Sequence, residues 1–354
     1  SGGRLTVIVV YAATPWLLHL TRRASGIETA DPGSAELDVA DGVIDLTPDE
    51  RARRILAAAL VLALAVAFAP VMLPLAVLLA LVVALGTVLA QGSLATAGWS
   101  LVAGLGAAAG AAVLNLPWIT SWTWEGVVGA QPLGEAGLGL VPLASFEIGS
   151  TDFAALALAL YLPVFAGVML ARAWRLTWAI RSALMVLVFG GIAVLADAGS
   201  IPIDMPEAGV LLVPVALGLA ISAAGALAAF DLDVRGGSFG WRQPLGILSS
   251  VAVVVGLAPG LAALTDGSFQ IPNTPLARLL DASLPDASPD GDYNVLLIGD
   301  ARVLPVPSTE YRDGVSWAII DDGPLDVRDR WMPPSNAASA LVTTALDEMA
   351  STST

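Results

Sequence analysis

The fold of this chain is decided by one apolar stretch, Ile55 to Ala90, which reads ILAAALVLALAVAFAPVMLPLAVLLALVVALGTVLA. An α-helix rises about 1.5 Å per residue, so about 20 apolar residues cross the hydrocarbon core of a membrane. The stretch is too long for one crossing. Pro70 and Pro74 interrupt it near its middle, where proline cannot continue the helical hydrogen-bond ladder. The sequence therefore predicts a hairpin of two membrane helices, near residues 55–70 and 74–90.

The composition of the whole chain is that of a polytopic membrane protein. Of its 354 residues, 56% are hydrophobic and 13% are charged, whereas a soluble domain carries about 25% charged residues. Six further apolar runs are long enough to be spans. They are Leu5–Leu20, Leu94–Trp118, Phe153–Ala171, Leu176–Leu195, Gly209–Phe230 and Pro244–Leu264. Together with the hairpin, they predict a transmembrane domain of about eight helices over residues 1–264.

The positions of the arginines predict which side of the membrane each loop faces. Arginine is favoured in short cytoplasmic loops and costs about 2.5 to 3.5 kcal/mol at the centre of a membrane helix. Segments 21–54, 172–181 and 231–243 are rich in arginine, whereas segments 119–151 and 197–208 have none and are acidic. Only a hairpin in the first long stretch places all the arginine-rich segments on one side. The prediction is eight spans in the plasma membrane, with loop 21–54 in the cytoplasm.

After Leu264 the composition changes to that of a globular domain. Tyr293–Ile298 reads as a buried strand and Val315–Ile320 as a second strand, each followed by a turn signal. Ser335 can cap a helix whose apolar positions follow the i, i+3, i+4, i+7 spacing. These positions are Ala338, Leu341, Val342, Ala345, Leu346 and Met349. The expected fold class is an all-α polytopic membrane protein with a small, incomplete C-terminal α/β extracytoplasmic domain, residues 265–354.

Charge and composition exclude several classes of function. The net charge of −15 leaves no basic field to displace counterions from phosphates, so no nucleic-acid partner is expected. The absence of cysteine removes thiolate metal sites and cysteine nucleophiles, and a single histidine, His19, gives no basis for a histidine metal cage. No metal site and no cofactor are therefore expected. His19, near Arg22 and Arg23, is interpreted as an interfacial side chain.

The predicted spans contain few polar side chains. Polar groups inside a span mark function by default, but a hydrogen bond to a neighbouring helix explains Asn115 and Ser222. Gly106 and Gly110 form a G-x-x-x-G pair, which is typical of close helix packing. No proton relay or ion path is evident within these spans.

The outside loop from Ile119 to Asp152 carries the candidate site. Trp118, Trp122 and Trp124 bring three indoles to the membrane surface, where aromatic rings can hold a sugar face or an isoprenoid tail. A carboxylate beside them could take the proton from an acceptor hydroxyl as a lipid phosphate leaves. The candidate catalytic residues are Glu125, Glu135 and Glu147, and Glu125 is preferred because it directly follows Trp124. The alternative is an ordinary acidic loop that lies on the headgroups.

Four segments of the C-terminal region carry a resemblance to a known family. They are Val295-Leu-Leu-Ile-Gly-Asp300, Arg302-Val-Leu-Pro305, Asp313-Gly-Val-Ser-Trp317 and Asp321-Asp-Gly-Pro-Leu325. These segments resemble the region after the last spans of large actinobacterial membrane glycosyltransferases, in which a cytoplasmic family 2 catalytic domain precedes a polytopic C-terminal half. The spans also look like those of transferases that use polyprenyl-phosphate sugars. No metal or nucleotide motif lies in the matching segments.

The resemblance implies cell-envelope polysaccharide or glycolipid assembly, with membrane lipids and a polyprenyl-phosphate-linked sugar as partners. It also implies a catalytic domain ahead of Ser1, and we expect the chain to be a fragment because it starts inside an apolar run. The predicted function is the membrane module of a glycosyltransferase. One alternative is a lipid-glycan transporter or flippase, which needs broken helices or polar groups at midmembrane. The other is a non-catalytic membrane anchor and assembly module.

Overall fold

The protein is described by a computed structural model. It defines residues 2–28, 42–43, 45–120, 122, 124–128, 139–146, 153–230, 240–265, 294–300, 309–312, 315–321 and 336–352. The chain divides into two compact units. The larger comprises Thr6–Gln131 and Gly137–Phe269, and the smaller comprises Gln270–Thr354 with Ser1–Leu5 and Pro132–Ala136.

The larger unit is a bundle of helices. They are α1 (Gly2–Ala24), α2 (Pro48–Phe68), α3 (Met72–Gln91), α4 (Leu94–Leu114), α5 (Leu116–Ile119), α6 (Trp124–Val128), α7 (Leu140–Ala144), a 3₁₀ helix (Ala154–Tyr161), α8 (Leu162–Leu170), α9 (Ala173–Asp197), α10 (Ala208–Ala229) and α11 (Arg242–Thr265). Two short strands, β1 (Ile27–Glu28) and β2 (Gly42–Val43), pair antiparallel between α1 and α2. Within the described residues, helical structure occupies each of the eight segments predicted to span.

Five of these helices, α3, α4, α9, α10 and α11, are long and apolar enough to cross a membrane. The prediction of a helical membrane protein is therefore confirmed at this coarser level. Helix α2 is long but begins with a charged turn, Asp49 to Arg54, so its apolar part is short. A capping box between Thr47 and Glu50 starts this helix, seven residues before the predicted span.

The apolar stretch that decides the fold forms two helices, as predicted. Helix α2 ends at Phe68 and α3 begins at Met72, and the turn is closed by hydrogen bonds from Met72 N to Ala69 O and from Leu73 N to Pro70 O. Pro74 lies inside the first turn of α3, where proline is tolerated because that turn's N–H groups have no intrahelical partner. The second helix thus starts two residues earlier than predicted.

Helix α4 packs between these two helices and fixes their directions. It follows α3 after a two-residue turn in which Gly92 has a φ of 66°, so α3 and α4 are antiparallel. A Cβ at Gly106 would lie 3.0 Å from Ile55 Cγ2, and one at Gly110 would lie 2.8 Å from Ala59 Cβ. Residue numbers rise together from the first contact to the second, from 55 to 59 on α2 and from 106 to 110 on α4, so α2 and α4 are parallel. The prediction of close packing at the glycine pair is confirmed.

Two further predictions about the spans have different outcomes. The buried Asn115 donates from Nδ2 to Ala63 O of α2 at 3.2 Å and to Ala111 O at 2.9 Å, which confirms the expected hydrogen bond to a neighbouring helix. Helix α4 ends at Leu114, four residues before the end of the predicted span Leu94–Trp118, and Asn115 turns the chain into the four-residue helix α5.

The fifth apolar segment is one continuous helix, Ala154–Leu170, that changes from 3₁₀ to α geometry along its length. Its first eight residues form the 3₁₀ helix and its last nine form α8, which has Pro163 in its first turn. A 3₁₀ helix rises about 2.0 Å per residue and an α-helix about 1.5 Å, so the segment is about 30 Å long. It therefore matches a membrane core that 17 α-helical residues would not cross. Prolines also lie inside α1, α10 and α11, namely Pro15, Pro214 and Pro259.

The smaller unit contains a three-stranded antiparallel sheet and a helix. The strands are β3 (Asn294–Asp300), β4 (Thr309–Arg312) and β5 (Val315–Asp321), in the order β3-β5-β4, and the helix is α12 (Asn336–Thr352). Trp317 of the central strand is fully buried. The Tyr311 hydroxyl of β4 donates to the Asp347 carboxylate of α12.

The predicted strands and helix of this unit are present, but their predicted burial is partly wrong. Leu296 and Ile298 are exposed, and because they are two residues apart they lie on the same face of the sheet. On α12, Leu346 is buried while Leu341 and Met349 are exposed, so only part of the predicted apolar face is covered. Strand β4 was not predicted, and the proposed cap Ser335 lies outside the described residues.

Candidate functional site

The structure places the three predicted indoles at one end of the larger unit. Trp118 lies on α5 and is 68% exposed, whereas Trp122 is half-buried against the core of the bundle. Trp124 begins α6 and donates from Nε1 to Asp204 O at 3.0 Å. This hydrogen bond joins the tryptophan-bearing loop to the acidic segment 197–208, which agrees with the predicted placement of both acidic segments on one side.

The predicted carboxylates can be placed only in part. Glu125 lies within the backbone of α6, directly after Trp124, but its side chain is outside the described part of the structure. Glu135 and Glu147 both lie outside the described residues. The geometry of the three carboxylates relative to the indoles therefore stays a prediction.

A second contact ties the same loop to the bundle. Gly139 N, immediately before α7, donates to Asp197 Oδ2 at the end of α9 at 3.0 Å. Beside this contact, Leu140 and Val141 of α7 are exposed, as is Leu116 of α5. Short helices with exposed apolar side chains and indoles are typical of chain that lies at the membrane interface. We call this end, formed by α5, α6, α7 and segment 197–208, the tryptophan end.

The arginines gather at the opposite ends of the helices. Arg54 Nη1 at the start of α2 donates to Arg23 O near the end of α1 at 2.9 Å. Arg242 Nη2 at the start of α11 donates to Met169 O and Leu170 O at the end of α8, each at 3.3 Å. Arg51 near the start of α2 stacks on Trp99 of α4. We call this end the arginine end.

Sequence reasoning missed a buried guanidinium in this part of the bundle. Arg181 was counted in the arginine-rich segment 172–181 although it also falls within the predicted span Leu176–Leu195, and in the structure α9 begins at Ala173 and Arg181 is fully buried within it. Its Nε and Nη2 donate to Thr87 Oγ1 of α3 at 3.3 and 3.1 Å. Gly86 provides the room, because a Cβ there would lie 2.7 Å from Arg181 Cγ.

Other polar groups surround this guanidinium. The ring of Trp178 lies one turn away, with its centroid 4.9 Å from Arg181 Cζ. Ser222 Oγ of α10 donates to Ser182 Oγ of α9 at 2.8 Å, which confirms the hydrogen bond predicted for Ser222. Arg175 is also buried. The spacing of three between Arg175, Trp178 and Arg181 places them on one helix face, and that spacing could have been recognised in the sequence.

The cluster of Arg181, Thr87, Ser182 and Ser222 provides hydrogen bonds between helices inside an apolar bundle. A buried cation in a membrane bundle is costly unless hydrogen bonds and ring contacts surround it. Here Arg181 connects α3 to α9, and the two serines connect α9 to α10. The cluster therefore fixes the relative positions of three helices near the arginine end.

Among the residues that the structure describes, no three His, Cys, Asp or Glu side chains lie close enough together to hold a metal ion. His19 lies near the end of α1 and is exposed.

Comparisons of the chain with protein-family models, with curated proteins and with solved structures give no match.

Proposed function

We propose that this chain is the membrane module of a glycosyltransferase that uses a lipid-linked sugar in cell-envelope assembly. The observation that supports the proposal is the hydrogen bond from Trp124 Nε1 to Asp204 O, which joins the start of α6 to segment 197–208 at the tryptophan end. A polyprenyl-phosphate sugar has an isoprenoid tail and a polar head. The exposed indoles of Trp118 and Trp124, in an outer loop rich in carboxylates, suit both parts. The resemblance of the C-terminal segments supports the same function.

The proposal includes eight crossings of the plasma membrane. Three segments, α1, α2 and Ala154–Leu170, fall short of the length or hydropathy of an ordinary span. The helix Ala154–Leu170 gains length from its 3₁₀ part. The gathering of arginines at one end supports a cytoplasmic location for that end, since arginine is favoured in cytoplasmic loops. The tryptophan end and residues 265–354 then face the outside.

In the proposed reaction a carboxylate of the outer loop is the general base. Glu125, Glu135 or Glu147 takes the proton from an acceptor hydroxyl, whose oxygen forms the new bond to the anomeric carbon of the donor sugar. The bond between the anomeric carbon and the phosphate oxygen breaks, and polyprenyl phosphate leaves with the electron pair. Trp118, Trp122 and Trp124 hold the sugar and the first isoprene units against the membrane surface.

The test is sugar transfer by the full-length protein in membranes, with a polyprenyl-phosphate sugar as donor. The variants are Glu125→Gln, Glu135→Gln and Glu147→Gln, which remove the base and keep the size of the side chain. We expect one of them to lower the transfer rate by about 10²- to 10⁴-fold. Asp204→Asn is the matched control, because Asp204 contacts Trp124 through its backbone oxygen. Full activity in all three glutamate variants would refute the catalytic role of the loop.

A transporter of lipid-linked glycans is the second candidate function. The 3₁₀ stretch Ala154–Tyr161, which continues directly into α8, favours it, because a 3₁₀ stretch within a helix often marks a functional hinge. The sequence alone did not indicate this change of helix type. Movement of a fluorescent lipid-linked sugar across proteoliposomes that contain the full chain, without sugar transfer, would favour the transporter. The absence of both transfer and transport would favour a membrane anchor.

A further inference from the structure

We propose that Arg51 and Trp99 form a binding site for the headgroup phosphate of an anionic phospholipid at the arginine end. Arg51 lies in the first turns of α2, and its Cζ is 3.5 Å from the centroid of the Trp99 ring on α4. At this distance the guanidinium and the ring are in van der Waals contact. The site is independent of the proposed glycosyltransferase function.

The partly exposed guanidinium of Arg51 has donors that the described residues leave unengaged. A guanidinium has five N–H donors in a planar fork that matches the oxygens of a phosphate. Among the residues that the structure describes, none accepts a hydrogen bond from the Arg51 guanidinium, whose Nε is buried without a partner, whereas the Arg51 backbone N–H donates to Thr47 O at 3.0 Å. Contact with the face of the ring leaves the edge of the guanidinium to donate. The ring contact thus holds the guanidinium in place, while the described residues leave its hydrogen-bond donors unused.

The surrounding structure fixes this geometry before a ligand binds. The capping box of Thr47 and Glu50 starts α2 at a defined residue, one turn before Arg51, and also engages the Glu50 carboxylate. Close packing of Gly106 on Ile55 sets the spacing of α2 and α4 one turn below. A site that is rigid before binding loses little conformational entropy when the ligand arrives.

The apolar surface beside the site indicates a lipid rather than free phosphate. Trp99, Val102, Leu105 and Val113 are all exposed and lie along one side of α4. An acyl chain can follow this stripe into the membrane while the phosphate meets the guanidinium. The charge also suits an anionic lipid, because Arg53, Arg54 and Arg23 lie at the same end of the bundle.

Arg53 offers a matched control on the same helix. It carries the same charge two residues away, and helical geometry puts it about 160° around α2 from Arg51. Arg53 is exposed and has no ring contact among the described aromatic pairs. A general attraction of the arginine end for anionic lipid would depend on both arginines alike, whereas the proposed site depends on Arg51 alone.

The experiment measures binding of phosphatidylglycerol to the full chain in phosphatidylcholine nanodiscs, by native mass spectrometry. We expect Arg51→Gln and Trp99→Leu each to weaken the tightest phosphatidylglycerol site by about tenfold. Arg51→Lys should recover only part of the affinity, since lysine lacks the planar fork. Arg53→Gln should change the affinity by less than about twofold. Thermal unfolding of each variant identifies any that fails to fold.

Three results would overturn the proposal. Equal losses of phosphatidylglycerol affinity in Arg51→Gln and Arg53→Gln would mean that the arginines attract anionic lipid only through their general positive charge. Equal binding of phosphatidylcholine and phosphatidylglycerol would remove the preference for an anionic lipid. Displacement of the lipid by millimolar inorganic phosphate would identify a site for soluble phosphate instead. If Arg51→Gln fails to fold, Trp99→Leu and Arg51→Lys still decide between these outcomes.

Discussion

Gly86 and Arg181 show how single residues set the position of whole helices. Arg181 has a place inside the bundle because α3 has no side chain at Gly86 and offers the Thr87 hydroxyl beside it. The charge pattern counted Arg181 in the cytoplasmic segment 172–181, because arginine is favoured in cytoplasmic loops, although the apolar run Leu176–Leu195 includes this residue. The contact could not be predicted because its partner lies 94 residues away in the sequence.

The first prediction concerns Gly86→Ala. The added Cβ would lie 2.7 Å from Arg181 Cγ and 3.1 Å from its Cα, so either the arginine or helix α9 must move. Overpacking of this kind lowers the free energy of unfolding by about 1 to 3 kcal/mol. The measurement is unfolding of the full chain in detergent micelles, followed by circular dichroism.

Gly98→Ala is the control for this variant. Gly98 also lies inside a helix, α4, but nothing is within 4 Å of a Cβ placed there. Alanine should raise the free energy of unfolding by about 0.5 to 1 kcal/mol, because glycine loses more backbone entropy in a helix. If both variants were equally stable, Arg181 would not be packed against α3.

At the scale of single elements, apolar length and proline positions predicted the helices well. The break between α2 and α3 was predicted from Pro70 and from the excess length of the stretch. The early start of α2 was not predicted, because the capping box of Thr47 and Glu50 lies in a polar segment that a search for apolar runs does not consider. The 3₁₀ helix Ala154–Tyr161 was also missed, since nothing in its sequence AALALALY distinguishes a 3₁₀ helix from an α-helix.

The second prediction tests the parallel arrangement of α2 and α4. The chain has no cysteine, so two introduced cysteines are its only thiols. Cysteines in place of Ile55 and Gly106 should form a disulfide on mild oxidation, because a Cβ at Gly106 approaches the Ile55 side chain to 3.0 Å. The mass of the intact chain should fall by about 2 Da as the two thiol hydrogens are lost.

The matched control pairs Ile55 with Leu114. Leu114 is exposed at the far end of α4, eight residues and about 12 Å beyond Gly106. This pair should stay reduced under the same conditions, since a disulfide needs Cα atoms within about 7 Å. Oxidation of the control pair alone would mean that α2 and α4 are antiparallel, which contradicts the hairpin.

For the whole molecule, composition and charge alternation indicated more than any motif did. Hydropathy predicted a helical membrane protein, and the alternation of arginine-rich and acidic segments predicted two distinct ends. Contacts in the larger unit agree with that sorting, because Arg54 meets Arg23 O at one end and Trp124 meets Asp204 O at the other. The candidate site is less predictable, since a carboxylate in a long loop acquires a role only from neighbours that the sequence does not specify.

The last prediction concerns the sides of the membrane that the two ends and the C-terminal region face. Single cysteines at Ala52, Ile203 and Leu341 report on the arginine end, the tryptophan end and α12, and each of these residues is exposed. Eight crossings place positions 203 and 341 outside and position 52 inside. A membrane-impermeant maleimide should therefore label cysteines 203 and 341 in intact cells, and cysteine 52 only after permeabilisation.

Each position is informative because the choice of sites leaves the charge pattern intact. Ala52→Cys keeps all of the neighbouring arginines, so a changed orientation cannot be attributed to a lost positive charge. Labelling of position 341 together with position 52 would mean an even number of crossings between them, with the C-terminal region on the arginine side. Seven apolar segments, α2 and the six after it, lie between these positions, so one of the seven would then lie on the membrane or turn back within it. The helix Ala154–Leu170 is the first to test, because its α-helical part, Leu162–Leu170, is the shortest.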